Sequence, residues 1–204
     1  VGVTPAPWTS FSATYNKFTD NLDNDPARTK TSQTQMNIGN ALKLPGAAML
    51  NTSYMISNVV GKPATVQNNQ TTTMNFSVVK PLGAHTLNLG YQTSAFTDKA
   101  AISHDLGTTV ISLSGSFRLS PKMSLSAGMV NSASTDKVDS TANKTTSLTG
   151  SLTYTMPQRA MAFQLWATMS SNKNDSLLYP GDSSTMTINL ETVWLKSQRS
   201  KYTF

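Results

Sequence analysis

The chain has no cysteine, which excludes disulfide staples and zinc–thiolate centres. It also has little charge: Asp, Glu, Lys and Arg together make 13% of its 204 residues, about half the share usual in a soluble globular domain. No run approaches the roughly 18 apolar residues of a membrane helix. No segment carries a sustained apolar stripe at helical spacing, so helix has no claim on the chain. Nor is this a disordered composition, because disorder comes with high charge and few large apolar side chains. Ser, Thr, Asn and Gln supply the missing polarity. Val1 opens without a signal-peptide pattern, so a mature or excised chain is expected.

The formal net charge is +6, yet the basic residues are scattered singly, as at Lys43, Lys62, Lys80 and Lys144. Nucleic-acid recognition needs a basic stripe or cluster, so nucleic acid is not an expected partner.

What the chain does have is alternation. In the stretch Val110–Val130, Ser takes every second position from Ser112 to Ser116 with mostly apolar residues on either side, and the alternation starts again after Ser120-Pro121, from Ser124 to Gly128. Short turn signals recur at Leu44-Pro45-Gly46, Pro81-Leu82-Gly83, Ser120-Pro121-Lys122 and Met156-Pro157-Gln158, about 37 residues apart. The same period predicts turns at Pro5-Ala6-Pro7 and near Ser197-Gln198-Arg199. Longer polar connections fall between them, at Thr19–Thr31, Gly61–Gln70, Thr97–Gly107, Ser134–Lys144 and Asn172–Ser184.

Ten strands follow from this punctuation and the period of two. They are Thr9–Phe18, Ser32–Leu44, Ala47–Val60, Thr71–Lys80, His85–Phe96, Thr108–Leu119, Lys122–Ala133, Thr145–Met156, Ala160–Ser171 and Thr185–Leu195. The fold class is all-β, an antiparallel up-and-down meander forming one domain over residues 1–204, either by itself or as the C-terminal domain of a longer protein. Closure into a barrel of about ten strands, or a place in a larger barrel, is expected because long open edges invite aggregation. One face of the strands is Leu, Ile, Met, Phe and Tyr. The other is Ser, Thr, Gly, Asn and Gln, with Glu191 its only acidic residue.

A soluble barrel needs a charged exterior, with roughly a quarter or more of its surface residues charged. A membrane barrel turns its apolar face to lipid and keeps the polar face inside. The uncharged polar face fits the second solvent. The alternative is a soluble Ser/Thr-rich β-sandwich or adhesin-like module. Strands of ten to fourteen residues, mostly ten to twelve, and the alternation of short and long connections also match a bilayer-spanning barrel.

The chain thus resembles the bacterial outer-membrane β-barrel class, over nearly its whole length and at the level of pattern. In the terminal KYTF, Tyr202 and Phe204 resemble the aromatic end that such proteins present to the barrel-assembly machinery. The resemblance implies an outer-membrane location. Its implied partners are the lipid bilayer, that machinery and other envelope proteins. Phe11, Tyr15, Phe18, Tyr54, Tyr91, Phe96, Phe117, Tyr154 and Trp194 are expected mostly near strand ends, as interfacial girdles. With ten strands, Val1 and Phe204 should share the periplasmic side with the short turns, and Lys30, Lys99, Lys137 and Lys173 should lie outside.

Chemistry is sparse. His85, just after Gly83-Ala84, reads as a solvated turn residue. His104-Asp105 could offer a general base, but adjacent side chains diverge and no G-x-S-x-G accompanies them. Asp20, Asp23 and Asp25 have a calcium-like spacing without the glycine and distal glutamate of the full motif. No catalytic residue, metal site or cofactor is expected, and a barrel enzyme is the least favoured reading. The charges placed on the polar face are Arg118 and Glu191. They would tune a pore, if the barrel is one rather than a membrane anchor or structural subunit of an envelope assembly.

Overall fold

A computed structural model describes residues 2–20, 30–62, 67–100, 105–137, 141–156, 161–175 and 181–194. These residues form one sheet of eleven strands in strict sequence order, every neighbouring pair antiparallel. The strands are β1 (Gly2–Ala6), β2 (Thr9–Thr19), β3 (Lys30–Lys43), β4 (Met49–Lys62), β5 (Asn68–Leu82) and β6 (His85–Asp98). They continue as β7 (Leu106–Ser120), β8 (Met123–Asp136), β9 (Ala142–Met156), β10 (Met161–Asn174) and β11 (Gly181–Trp194). The one helical element among the described residues is a 3-10 turn at Pro45–Ala47.

The short turns are tight because their residues allow it. Leu82 pairs with His85 and Ser120 with Met123, leaving two-residue turns at Gly83-Ala84 and Pro121-Lys122. Gly83 takes φ 64°, the left-handed backbone that the favoured hairpin turns require and that glycine adopts without steric cost.

The alternation expected from the sequence survives in three dimensions as one register across β1 to β11, shifted by a residue only beside two short turns, between Val3 and Ala6 and between Arg118 and Ser120. Leu89 pairs with Leu113, Leu113 with Met129, Met129 with Leu148, Leu148 with Met169, and Met169 with Met186. One row further across the pleat, Ser112 pairs with Gly90 and Val130, and Ser114 with Asn88 and Gly128. A slip of one residue anywhere else would have exchanged the faces.

The sheet has no core. Among the described residues, Ala48 and Thr73 are the only buried non-glycine residues, and no large side chain is fully buried. Leu113 is 47% exposed and Ile188 61%. A second layer, as in a sandwich, would have covered this face, so the single layer tells against the soluble sandwich.

Two expectations are corrected. Among the described residues there are eleven strands, one more than the ten expected, because the turn expected at Pro5-Ala6-Pro7 forms at Pro7-Trp8 and is preceded by β1. That strand carries Gly2 away from the short-turn end, so the chain does not start where the ten-strand topology places it. The described sheet does not itself include a closing pair: among the described residues β1 and β11 pair on one side each. Finally, most strands reach 14 or 15 residues. Their extra length lies mainly towards the long connections, at residues such as Asn68, Asn69, Asn143 and Ser183. Both faces are polar there, so the alternation fades while the backbone ladder, indifferent to side-chain polarity, continues.

Candidate functional site

The polar face is the functional candidate, because its residues are placed alike on many strands. Hydroxyls and carboxamides bond across the strands: Asn75 Nδ2 donates to Ser53 Oγ at 3.0 Å, and Asn88 Nδ2 to Ser114 Oγ at 3.3 Å. Ser126 and Ser151 lie 2.7 Å apart through their Oγ atoms, and Thr73 Oγ1 and Ser94 Oγ 3.3 Å apart. Glycine has a specific use here. A Cβ on Gly39 would stand 2.9 Å from Ser12 Oγ, and one on Gly128 2.9 Å from Thr149 Oγ1. Each hydroxyl occupies the space its paired glycine leaves, which keeps the face smooth as well as polar.

Arg118 and Glu191, singled out from the sequence, both fall on this face and on one row. Arg118 pairs with Ser124, Ser124 with Thr153, Thr153 with Gln164, and Gln164 with Glu191. Four strand spacings separate the two charges, about 19 Å along the sheet at roughly 4.8 Å per strand. Arg118 is not deep within its strand. It is exposed, two residues before the end of β7, and Glu191 is half-buried three residues before the end of β11.

Around Arg118 the face hollows into an open groove of about 380 Å³, lined by Ser116, Ser120, Ser124 and Thr153, and by Lys122 from the turn. Sequence reading passed over Lys122. Its signal was its place four residues after Arg118, in the two-residue turn that follows β7.

His85 is not the solvated turn residue expected. It is half-buried as the first residue of β6, with its ring against Phe117 (centroids 5.8 Å apart, planes at 42°). Its Nδ1 accepts the Arg118 backbone N–H at 3.1 Å. A direct pair with Phe117 places it on the apolar face.

His104 lies outside the described residues, as do Asp23, Asp25, Tyr202 and Phe204. Asp105 is engaged locally, its Oδ1 accepting the Asp98 backbone N–H at 2.8 Å. No group of three or more metal-ligating side chains occurs among the described residues.

The aromatic girdle is looser than expected. Phe18 pairs with Gln33 and Phe96 with Thr71, so both stand on the polar face, while Tyr54 and Tyr91 fall in mid-strand. Aromatic side chains favour strands wherever they fall, and their positions alone do not mark an interface.

No family model matches the sequence, and no curated protein matches it. Solved structures do. The chain is similar to OmpT (in-vitro folded), an outer-membrane protein of Vibrio cholerae, with TM-score 0.56 and 9% identity, covering 93% of this chain and 59% of that one. It is similar to outer-membrane expressed OmpT of the same organism, with TM-score 0.52 and 8% identity over 93% of this chain and 76% of that one. The loop L8 deletion mutant of OmpT gives TM-score 0.54 at 8% identity. The likeness is one of fold, to the bacterial outer-membrane β-barrel class without a specific family. The chain spans about 59% of the length of the first of these.

Proposed function

We propose that this sheet is wall of a closed β-barrel in the bacterial outer membrane, and that its polar face lines a water-filled pore for small solutes. The observation that carries the reading is the division of the two faces: hydroxyls and carboxamides bonded side to side on one, exposed Leu, Ile and Met on the other. Water satisfies the first and lipid the second. A barrel used only as an anchor fills its interior with large or paired charged groups, and this face instead offers mostly small neutral ones, with Met55, Phe96 and Trp166 as large exceptions.

Closure is part of the proposal because a bilayer has no water to satisfy an open strand edge. β1 and β11 run in the same direction along the sheet, so an antiparallel wall closes through an odd number of further strands. The arc's likeness to part of longer chains supports a lumen wider than ten strands alone would enclose. On this reading the barrel catalyses no reaction, meets lipid on its outer face, and is inserted by the barrel-assembly machinery through Tyr202 and Phe204.

Native protein extracted in mild detergent and added to planar bilayers should give stepwise conductance, with ion selectivity altered by Glu191→Gln. Insertion without any conductance would overturn the pore and leave the anchor.

A further inference from the structure

We propose that the groove around Arg118 at the short-turn end of the polar face is an anion subsite that takes small oxyanions, phosphate among them. The pore reading gives it a use, but its binding chemistry stands on the groove alone.

Two cations, Arg118 and Lys122, line this one groove together with the hydroxyls of Ser116, Ser120, Ser124 and Thr153, and no carboxylate lines it. The set is one of donors: a planar guanidinium that grips an oxyanion through two N–H groups, an ammonium acting as a point charge, and hydroxyls that turn to suit. A cation entering here meets no charged acceptor.

The backbones that carry the two cations are also anchored. The Arg118 backbone is fixed by its N–H donating to His85 Nδ1, while that imidazole packs on Phe117 across the opposite face. The Lys122 backbone N–H donates to Ser120 Oγ at 3.2 Å, which ties down the turn.

Glu191 does not cancel these charges. At about 19 Å along the row it lies well beyond the screening length of about 10 Å at 0.1 M salt. The rest of the sequence reinforces the sign. The described aspartates lie at or beside the long connections, at the other end of the strands, where Lys17, Lys30, Lys62, Lys99, Lys137, Lys144 and Lys173 balance them, while Lys43, Lys80, Arg118 and Lys122 at the short-turn end face only Glu191. A solute anion therefore meets a rising positive potential as it nears the groove.

The test uses native protein and two readouts. In a planar bilayer under a potassium chloride gradient, the reversal potential should show anion preference. Millimolar inorganic phosphate should reduce the chloride current more from the short-turn side. Arg118→Ala with Lys122→Gln should lower the anion preference and raise the half-blocking phosphate concentration about fivefold per charge removed. Arg118→Lys, which keeps the charge and loses the fork, should restore the preference but not the phosphate affinity.

Phosphate binding to the detergent-solubilised protein, followed by phosphorus NMR line broadening, is the second readout. Absence of conductance with phosphate binding that the double variant abolishes would sink the pore and keep the subsite. Conductance without anion preference, or phosphate broadening unchanged in the double variant, overturns the subsite.

Discussion

Near the short turns the two faces of the sheet are chemical opposites, and near the long connections they are the same. In β7 and β8 the short-turn half sets Leu113 and Leu125 against Ser114 and Ser126. The other half has Thr109 and Asn131 on the first face, Thr108 and Ser132 on the second. Asn131 Nδ2 even donates to Thr146 Oγ1 at 3.0 Å on the face that is apolar lower down. On the barrel proposal, the difference locates the lipid. Along β10 the apolar face runs from Met161 to Met169, then gives way to Ser171 and Lys173. Eight residue steps at about 3.3 Å rise, tilted about 40°, reach roughly 20 Å vertically, close to the band of about 25 Å on outer-membrane barrels. The remaining residues of each strand belong to the polar layer beyond it.

The largest effect that tests this division is all-or-none. Cysteine at Lys137, in the β8–β9 connection, should react with a membrane-impermeant maleimide on intact cells. Cysteine at Lys122, in the β7–β8 turn, should react only after the outer membrane is opened. Labelling in the reverse order would invert the molecule in the membrane.

Charge on the two halves should separate next. Leu113→Arg and Leu165→Arg place a cation within the apolar band and should cost about 2–4 kcal/mol, read by urea titration of folding into lipid vesicles. Thr146→Arg, on the same face but above the band, should cost about 0–1 kcal/mol. Equal losses at all three positions would mean that the band does not end where the alternation ends. Ser114→Arg, one residue from Leu113 on the other face, should also be tolerated better than Leu113→Arg. A matching loss there would remove the distinction between lipid and lumen.

This comparison also explains what could be read in advance. Ten of the eleven described strands, the connection order and the division of faces were legible through the short-turn half, because a half-apolar sheet demands a strict period of two and the short turns demand Gly or Pro. Legibility ended where that demand ended. β5 was expected to start at Thr71 and starts at Asn68, since Asn68-Asn69-Gln70 reads as loop by composition although its backbone pairs through Val60, Val59 and Asn58. β1 was missed because five residues containing Pro5 hold too little alternation to count. At the candidate site, Arg118 and Glu191 could be assigned to one face from periodicity alone. Their common row, the His85–Phe117 contact and the participation of Lys122 depend on cross-strand register, which periodicity within a single strand does not contain.

The smallest expected effect asks whether the short-turn half of the polar face is wet. Ser126–Ser151, at 2.7 Å, lies on that face, and Asn131–Thr146, at 3.0 Å, lies on the other face above the band. If water fills the lumen, both pairs exchange one hydrogen bond for another with solvent when broken. Each double-mutant cycle to alanine should then give a coupling of about 0.5–1 kcal/mol or less. A dry, packed interior would behave differently, because removing one hydroxyl would strand its partner at a desolvation cost of roughly 1–3 kcal/mol. Single Ser126→Ala and Ser151→Ala variants that each lose 2 kcal/mol or more, while Asn131→Ala and Thr146→Ala lose little, would show the lumen wall to be covered. A covered wall cannot line an aqueous path, so this modest measurement bears on the pore as directly as conductance does.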